Sequence, residues 1–420
     1  MEVSIIGGGY AGLVTGACLA NLGHRIIIID KNTEKVQIIN NKQSPIYEPG
    51  LENLLQQHVG IKLHATTEFD SISSSDIILI CVGTPSKSDG SIDLSYIKSA
   101  CLSIGSTVKN NCCIVIKSTV LPGTTEKIVR PLICMASGKS EKEINFAANP
   151  EFLQEGRAIE DFMYPDRIII GTNNLYTRKQ ITKLYRGIYA PILYTSIPIA
   201  EMIKYTSNAF LATKISFSNE IGNICKHLNI NTYEVMKGVG LDQRIGSQFL
   251  NSGVGFGGSC FKKDLSALIL LAQRSKEDPI LLQSVLDINT CQPHRMITSL
   301  ENKLGNLSGK RIAVLGLAFK NKTDDIRDSQ TIPVINELLQ KGACISAYDP
   351  MAIKNMQQVF PDINYCHNVI DALTNADGCL IMTEWEEFSQ LNTEFNVMKN
   401  KVIIEGRKIV SCKGVDGICW

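Results

Sequence analysis

One short stretch carries most of the reactive chemistry: "SGVGFGGSCFKKD", Ser252 to Asp264. Gly253, Gly255, Gly257 and Gly258 lead to Cys260, and Lys262, Lys263 and Asp264 follow. An ordinary cysteine is only about 3% thiolate at neutral pH. A helix N-terminus and nearby cations lower its pKa and make it a nucleophile. "GGSC" before "FKKDLSALILLAQ" predicts Cys260 at about the first turn of a helix, with Ser259 as N-cap. Lys263 adds positive potential, and Asp264, one turn on, faces the same way. The glycines would let backbone approach a ligand and leave N–H groups free for an oxyanion. The competing reading, a buried inert thiol, leaves the glycines unexplained.

A second constellation opens the chain. "GGGYAG" places Gly7, Gly9 and Gly12 in G-x-G-x-x-G spacing after an apolar strand and before a helix, with Asp30 closing the next strand. That context makes it a dinucleotide fingerprint: a tight turn at Gly7, pyrophosphate approach at Gly9, close helix packing at Gly12. Asp30 would accept from the adenosine ribose and repel a 2′-phosphate, which selects NAD over NADP, although Lys31 beside it weakens that exclusion. Lys204 and Asn208 stand four apart on a predicted helix, so they share a face and could hold a substrate oxygen; a solvated lysine is the alternative. Glu151 and Glu155 in "NPEFLQEG" follow a strand end, where one carboxylate could act as a base or merely complement a helix dipole. "VLGLAFK" resembles the first turn without its later glycines, and leaves Lys320 either for phosphates or for solvent. A nicotinamide cofactor paired with a nucleophilic cysteine points to oxidation of an alcohol through an aldehyde to a carboxylate, because a thiohemiacetal is a good hydride donor and a thioester can be hydrolysed.

The elements that must position these groups are readable from periodicity. Strands are expected at Glu2–Ile6, Arg25–Ile29, Ile77–Val82 and Cys113–Lys117, with more in "INFAANP" and "RIIIG". A helix covers about Tyr10–Leu22, and a long one runs from Ile199 to about Leu228. Helical segments continue to about Leu304; then strand–helix alternation restarts at Arg311–Leu315 and continues at Thr331–Leu339, in the "ACISAYDP" strand ending at Asp349, and at Gly378–Met382 and Val402–Ile404. The expected fold is α/β: two doubly wound Rossmann-like domains (1–197 for NAD, 305–420 for the substrate) joined by a helical central domain (198–304), with the ligand cleft between.

With 420 residues, 44% hydrophobic and 20% charged, the chain reads as an ordinary globular protein. A net charge of +1 gives no electrostatic case for nucleic acid or a membrane surface. Apolar runs end after about six residues, far short of a membrane span. No leader is visible, and the fourteen cysteines lack C-x-x-C or Cys/His spacing, so no metal is expected and a reducing, cytoplasmic compartment is.

On "GGGYAGLVTG", "SPIYEPGL", "CVGTP", "KSTV", "NPEFLQEGRAIEDFMYPDRIIIG", "KYTSNAF", "LDQRIGSQFLNSGVGFGGSCFKKDL" and "FKNKTDDIRDS", nearly the whole chain resembles the UDP-glucose/GDP-mannose dehydrogenase family. The resemblance implies oxidation of UDP-glucose at C6 to UDP-glucuronate with two NADH formed, and a homodimer built on the central helix. It implies that Cys260 captures the aldehyde, that Lys204, Asn208 and Asp264 orient oxygen and water, and that Glu151 and Thr119 serve thioester hydrolysis. Lys35, Thr84, Thr119, Glu155, Lys263 and Arg327 would line NAD. Glu151, Phe152, Leu153, Lys204, Asn208, Phe249, Leu250, Gly253, Gly257 and Lys320 would hold the UDP-sugar, and Arg244 would enter a neighbouring subunit's site. Ala11, Pro122 and Asn251 depart from the common pattern. The alternatives are the same chemistry on GDP-mannose or UDP-N-acetylmannosamine, a two-electron hydroxy-acid dehydrogenase, and a silent nucleotide-binding redox sensor.

Overall fold

Short apolar strands alternating with helices fold into two separate sheets in the computed structural model, which describes residues 1–420. The chain divides into two units, Met1–Ser207 and Asn208–Trp420.

The first unit holds eight strands: β1 (Glu2–Ile6), β2 (Arg25–Ile29), β3 (Leu63–Thr66), β4 (Ile77–Ile80), β5 (Cys113–Ile116), β6 (Asn145–Ala148), β7 (Ile168–Gly171) and β8 (Ile192–Thr195). Their order is β3-β2-β1-β4-β5-β6-β7-β8, and every pairing is parallel except β6 with β7. Sequence order reverses at β1, the switch point where doubly wound sheets bind ligands. β4 and β5 are buried throughout, as expected of strands covered by helices on both faces. Helix α1 (Tyr10–Asn21) starts directly after Gly9 and buries everything from Gly12 to Ala20. A short helix, α2 (Ala158–Met163), follows β6.

Helix α3 (Ile197–His227) is 31 residues long and passes from the first unit into the second. It starts two residues earlier than the periodicity suggests, because Pro198 sits in its first turn, where a missing N–H breaks no helical bond. In the second unit α4 (Phe261–Arg274) and α5 (Ile280–Leu304) follow the glycine loop, and Pro293 lies inside α5. β9 (Arg311–Leu315), α6 (Thr331–Gln340), β10 (Cys344–Tyr348), β11 (Asn364–Tyr365), β12 (Gly378–Ile381), β13 (Ile403–Glu405) and β14 (Val415–Gly417) then build an all-parallel sheet in the order β11-β10-β9-β12-β13-β14. The strands that periodicity misses (β3, β8, β11, β14) are short, and all four lie at sheet ends. β8 is half exposed, which leaves little apolar signal to read. No helix is long and apolar enough to cross a membrane.

Candidate active site

At the first turn, Gly7 adopts φ 101° and donates its N–H to Ile29 O at 2.8 Å. A Cβ on Gly12 would fall 1.9 Å from Gly7 O, so only glycine lets α1 pack this closely. A Cβ on Gly9 would meet nothing within 4 Å, and the α1 N-terminus has no side-chain cap. The open side of the helix start thus presents N–H groups and positive dipole potential, which suit a pyrophosphate. Asp30 accepts from Gly8 N–H (2.8 Å), Asn32 N–H (2.9 Å) and Lys35 Nζ (3.4 Å), and part of its carboxylate stays accessible. Lys35 therefore reaches Asp30. Lys31 lies over the Tyr96 ring at 4.7 Å. These residues fit a dinucleotide with its ribose on Asp30. Thr84 donates to Thr119 O at 3.0 Å, tying the β4 and β5 loops together.

The segment after β6 is held by carboxylates. Glu151 accepts from Leu153 N–H at 2.6 Å and pairs with Lys204 at 3.2 Å, both side chains nearly buried. Lys204 also lies 5.3 Å from the Phe152 ring centre, with Arg167 on that ring at 4.1 Å. Asp161 accepts from Gln154 N–H at 2.8 Å, and Glu48 from Gly156 and Ala158 N–H, each at 2.7 Å. With these four N–H groups engaged, the segment offers a ligand mainly its carbonyls and the side chains of Glu151, Phe152, Leu153 and Glu155. A small cavity beside it is lined by Ser118, Thr119, Pro150, Glu201 and Lys204. Glu201, one turn before Lys204 on α3, accepts from Gly123 N–H (2.6 Å), Thr125 N–H (2.9 Å) and Thr125 Oγ1 (2.6 Å), while burial raises its pKa. It tethers the loop bearing Thr119, including Pro122, to the helix bearing Lys204.

In the second unit, Asn208 donates to Asp264 at 2.6 Å, and Lys263 pairs with the other Asp264 oxygen. Both Asn208 and Asp264 are buried. Cys260 follows a largely buried loop and is itself exposed. The expected cap is corrected: helix α4 begins at Phe261, Cys260 occupies the N-cap, and Ser259 Oγ lies 3.6 Å from its sulfur instead of capping the helix. By contrast, burial pushes Cys18, Cys81, Cys101, Cys112 and Cys113 up to about 12.

The structure gives the glycines a packing role as well. A Cβ at Gly253 would fall 2.3 Å from Gly406 O, at Gly257 2.5 Å from Asp328 O, and at Gly258 2.8 Å from the Phe319 ring. The close neighbours are protein backbone and a ring of this same unit. Several N–H groups are spent as well: Gly253 on Asn219 (2.7 Å), Val254 on Gly406 O (3.0 Å), Phe256 on Asn289 (2.7 Å) and Gly258 on Arg327 O (2.9 Å). Gln292 donates to Gly253 O at 2.8 Å, and Arg407 to Gly255 O at 2.6 Å. Phe256 anchors the loop among Ala209, Ala212, Leu265 and Val285. The result is a rigid mount for Cys260.

The remaining expected residues lie nearby in this unit or at its surface. Phe249 has φ 63°, an uncommon conformation for a bulky residue, with its ring 6.4 Å from Phe261. Leu250 is buried. Arg327 forks onto Asp325 at 2.6–2.9 Å while its carbonyl holds Gly258. Lys320 sits 5.7 Å from the Phe319 ring centre. Arg244 is exposed and pairs with Asp242 at 2.6 Å. Sequence reasoning missed Glu48, Glu201, Asn219, Asn289, Gln292 and Arg407. Only Glu48 had a visible signal, the "SPIYEPGL" motif; the others are single polar residues within apolar helices or loops.

Comparisons with known proteins agree with this geometry. Residues 1–189 match the NAD-binding domain of the UDP-glucose/GDP-mannose dehydrogenase family, 199–291 its central domain and 313–412 its UDP-binding domain. The chain is 45% identical over 420 residues to UDP-glucose 6-dehydrogenase AglM of Haloferax volcanii, covering 98% of this chain and 97% of that protein. It is 42% identical to UDP-glucose 6-dehydrogenase YwqF of Bacillus subtilis, covering 97% and 93%. A UDP-glucose dehydrogenase structure from Pyrobaculum islandicum superposes with TM-score 0.95 at 37% identity, covering 100% of this chain and 98% of that one. A UDP-D-ManNAc dehydrogenase structure from Pyrococcus horikoshii gives 0.89 at 28% identity, covering 100% and 99%. With its dinucleotide turn, its mounted cysteine and all three family domains in sequence, the chain belongs to the UDP-glucose/GDP-mannose dehydrogenase family.

Proposed function

We propose that this chain is an NAD-dependent UDP-glucose 6-dehydrogenase that takes C6 of UDP-glucose from alcohol to carboxylate. The observation that carries the reading is Cys260: an exposed thiol at the N-cap of α4, on a loop that the protein itself holds rigid, one turn from the buried Asn208–Asp264 pair. Full-length identity of 40–45% to UDP-glucose 6-dehydrogenases supports UDP-glucose over GDP-mannose or UDP-N-acetylmannosamine.

The chemistry balances as one UDP-glucose, two NAD and one water giving UDP-glucuronate, two NADH and three protons. NAD, when bound on Gly7, Gly9, Gly12, Asp30, Lys35, Thr84, Glu155, Lys263 and Arg327, supplies the hydride acceptor. Lys204, Asn208 and Asp264 orient the 6-oxygen and stabilise negative charge on it. The Cys260 thiolate adds to the aldehyde carbon, forming a C–S bond and a thiohemiacetal; loss of its hydride and hydroxyl proton leaves a thioester. Glu151, already within reach of Lys204, takes a proton from water in hydrolysis, with Thr119 placing that water, and the C–S bond breaks to return the thiol. Phe152, Leu153, Phe249 to Gly253, Gly257 and Lys320 hold the UDP-sugar. We assign 1–197 to the cofactor, 198–304 to the helical centre and 305–420 to the nucleotide sugar.

Exposed Phe210, Phe217 and Ile224, seven residues apart on α3, with exposed Leu228 beyond them, favour a homodimer in which Arg244 serves the partner. The cysteine pattern favours a reducing, cytoplasmic setting.

Counting NADH per UDP-glucose consumed tests the reading: two are expected, and one would overturn it. Cys260→Ser should stall the second oxidation and abolish UDP-glucuronate formation, because a serine hydroxyl is a far poorer nucleophile at neutral pH.

A further inference from the structure

The "SPIYEPGL" motif has no part in the chemistry above, yet its acid is buried at a junction. Glu48 Oε2 accepts from Gly156 N–H at 2.7 Å and from the Tyr10 hydroxyl; Oε1 accepts from Ala158 N–H at 2.7 Å. Gly156 N–H also reaches Tyr10 Oη at 3.0 Å. Gly156 adopts φ 83°, so this turn is shaped for glycine. Tyr10 is the residue directly after Gly9, at the first position of α1. Gly156 and Ala158 close the segment that carries Glu151 and Glu155, over a hundred residues away in sequence (separations of 108 and 110). One buried carboxylate therefore joins the start of the dinucleotide helix to the turn behind the catalytic segment. Charge-assisted bonds of this kind are the strong ones, and in a buried site they hold geometry.

We propose that Glu48, braced by Tyr10, is a positioning residue that fixes the Glu151–Glu155 segment against the cofactor turn for thioester hydrolysis. The inference rests on the function proposed above. Its bonds to Gly156, Ala158 and Tyr10 give it a role through the protein's own turn. It acts through Gly156 and Ala158, and misplacing a reacting group by about 1 Å costs up to roughly a hundredfold in rate.

The test is pre-steady-state NADH formation with saturating NAD and UDP-glucose, beside mass spectrometry of the quenched enzyme. Glu48→Gln should keep a burst near two NADH per folded site, lower the steady-state rate roughly tenfold, and accumulate the thioester on Cys260. Tyr10→Phe should shift rate and thioester occupancy in the same direction, about threefold, and keeps the test open if Glu48→Gln fails to fold. The double variant should be less damaging than the product of the two effects, since both act through one turn. Burst and steady-state rate falling together, with no thioester, would mean a merely structural role and overturn the proposal; so would an unchanged steady-state rate in both variants. Wild-type enzyme yielding one NADH per UDP-glucose would instead indict the function reading.

Discussion

The two sheets begin with the same strand–glycine turn, but treat the acid at the end of the second strand in opposite ways. Gly7 donates to Ile29 O and Gly316 to Tyr348 O, both at 2.8 Å, with φ 101° and 95°. In the first turn a helix starts at Tyr10, nothing crowds Gly9, and Asp30 keeps an accessible edge. In the second no helix starts until Thr331, and Asp349 is buried. Its oxygens accept from Leu317 (2.7 Å), Ala318 (3.1 Å), Met351 (2.8 Å) and Ala352 (2.8 Å) N–H groups and from Trp385 Nε1 (3.0 Å). The first acid keeps an edge open to solvent, and the second is saturated as a structural clasp. A shared topology therefore does not imply a shared site: what differs is whether a helix N-terminus opens at the turn and whether protein donors saturate the carboxylate.

The contrast is easiest to break at the glycines. A Cβ on Gly316 would lie 2.5–2.6 Å from the Thr383 backbone N and side chain at a positive φ, so Gly316→Ala should lose on the order of 5 kcal/mol or fail to fold. Gly9→Ala should keep its thermal midpoint and lose NAD affinity; equal thermal losses would erase the distinction. Next come the acids. Asp349→Asn should cost about 4 kcal/mol in urea unfolding, because it strips a buried carboxylate from five donors. Asp30→Asn should cost little stability, raise the KM for NAD roughly tenfold to a hundredfold, and relax exclusion of NADP.

A further expected effect is on pH dependence. Burial pushes Glu405, at the end of β13, up to about 7 against an ordinary 4.5, opposed by Ile409 and Val410 N–H and by Lys408. A carboxyl that holds its proton more tightly when folded favours the fold below about 4.5. That contribution fades as pH rises through about 7, a change on the order of 2–3 kcal/mol. Urea midpoints of the wild type should fall between pH 5 and 7.5, and Glu405→Gln should flatten that slope. An unchanged slope in the variant would move the titration elsewhere.

Much of the site was legible because its signals are local. The G-x-G-x-x-G spacing, the i, i+4 pair Lys204 and Asn208, and the cysteine before a helix each lie within one strand–turn–helix or one loop–helix. The long-range groups were not. Glu48, Glu201 and Asn219 meet partners 108, 78 and 34 residues away; the "SPIYEPGL" motif marks Glu48 without naming its partner, and nothing local announces the other two. The glycine loop shows the limit most clearly. Its composition pointed to a conformationally permissive backbone, but whether that backbone faces a ligand or Gly406, Asp328 and Phe319 depends on the packed neighbours.

Sequence alone thus determined the strand–helix alternation that builds two sheets, the glycine turn of dinucleotide spacing and the placing of the candidate nucleophile Cys260 before a helix, since these follow from periodicity and short spacing. Only the tertiary structure decided that Asp349 is a clasp while Asp30 keeps an accessible edge, that the glycines pack the Cys260 loop against Gly406, Asp328 and Phe319, and that Glu48 joins two distant turns. A carboxylate's role is set by how many donors surround it and how much water remains, and both come from residues far away in the chain.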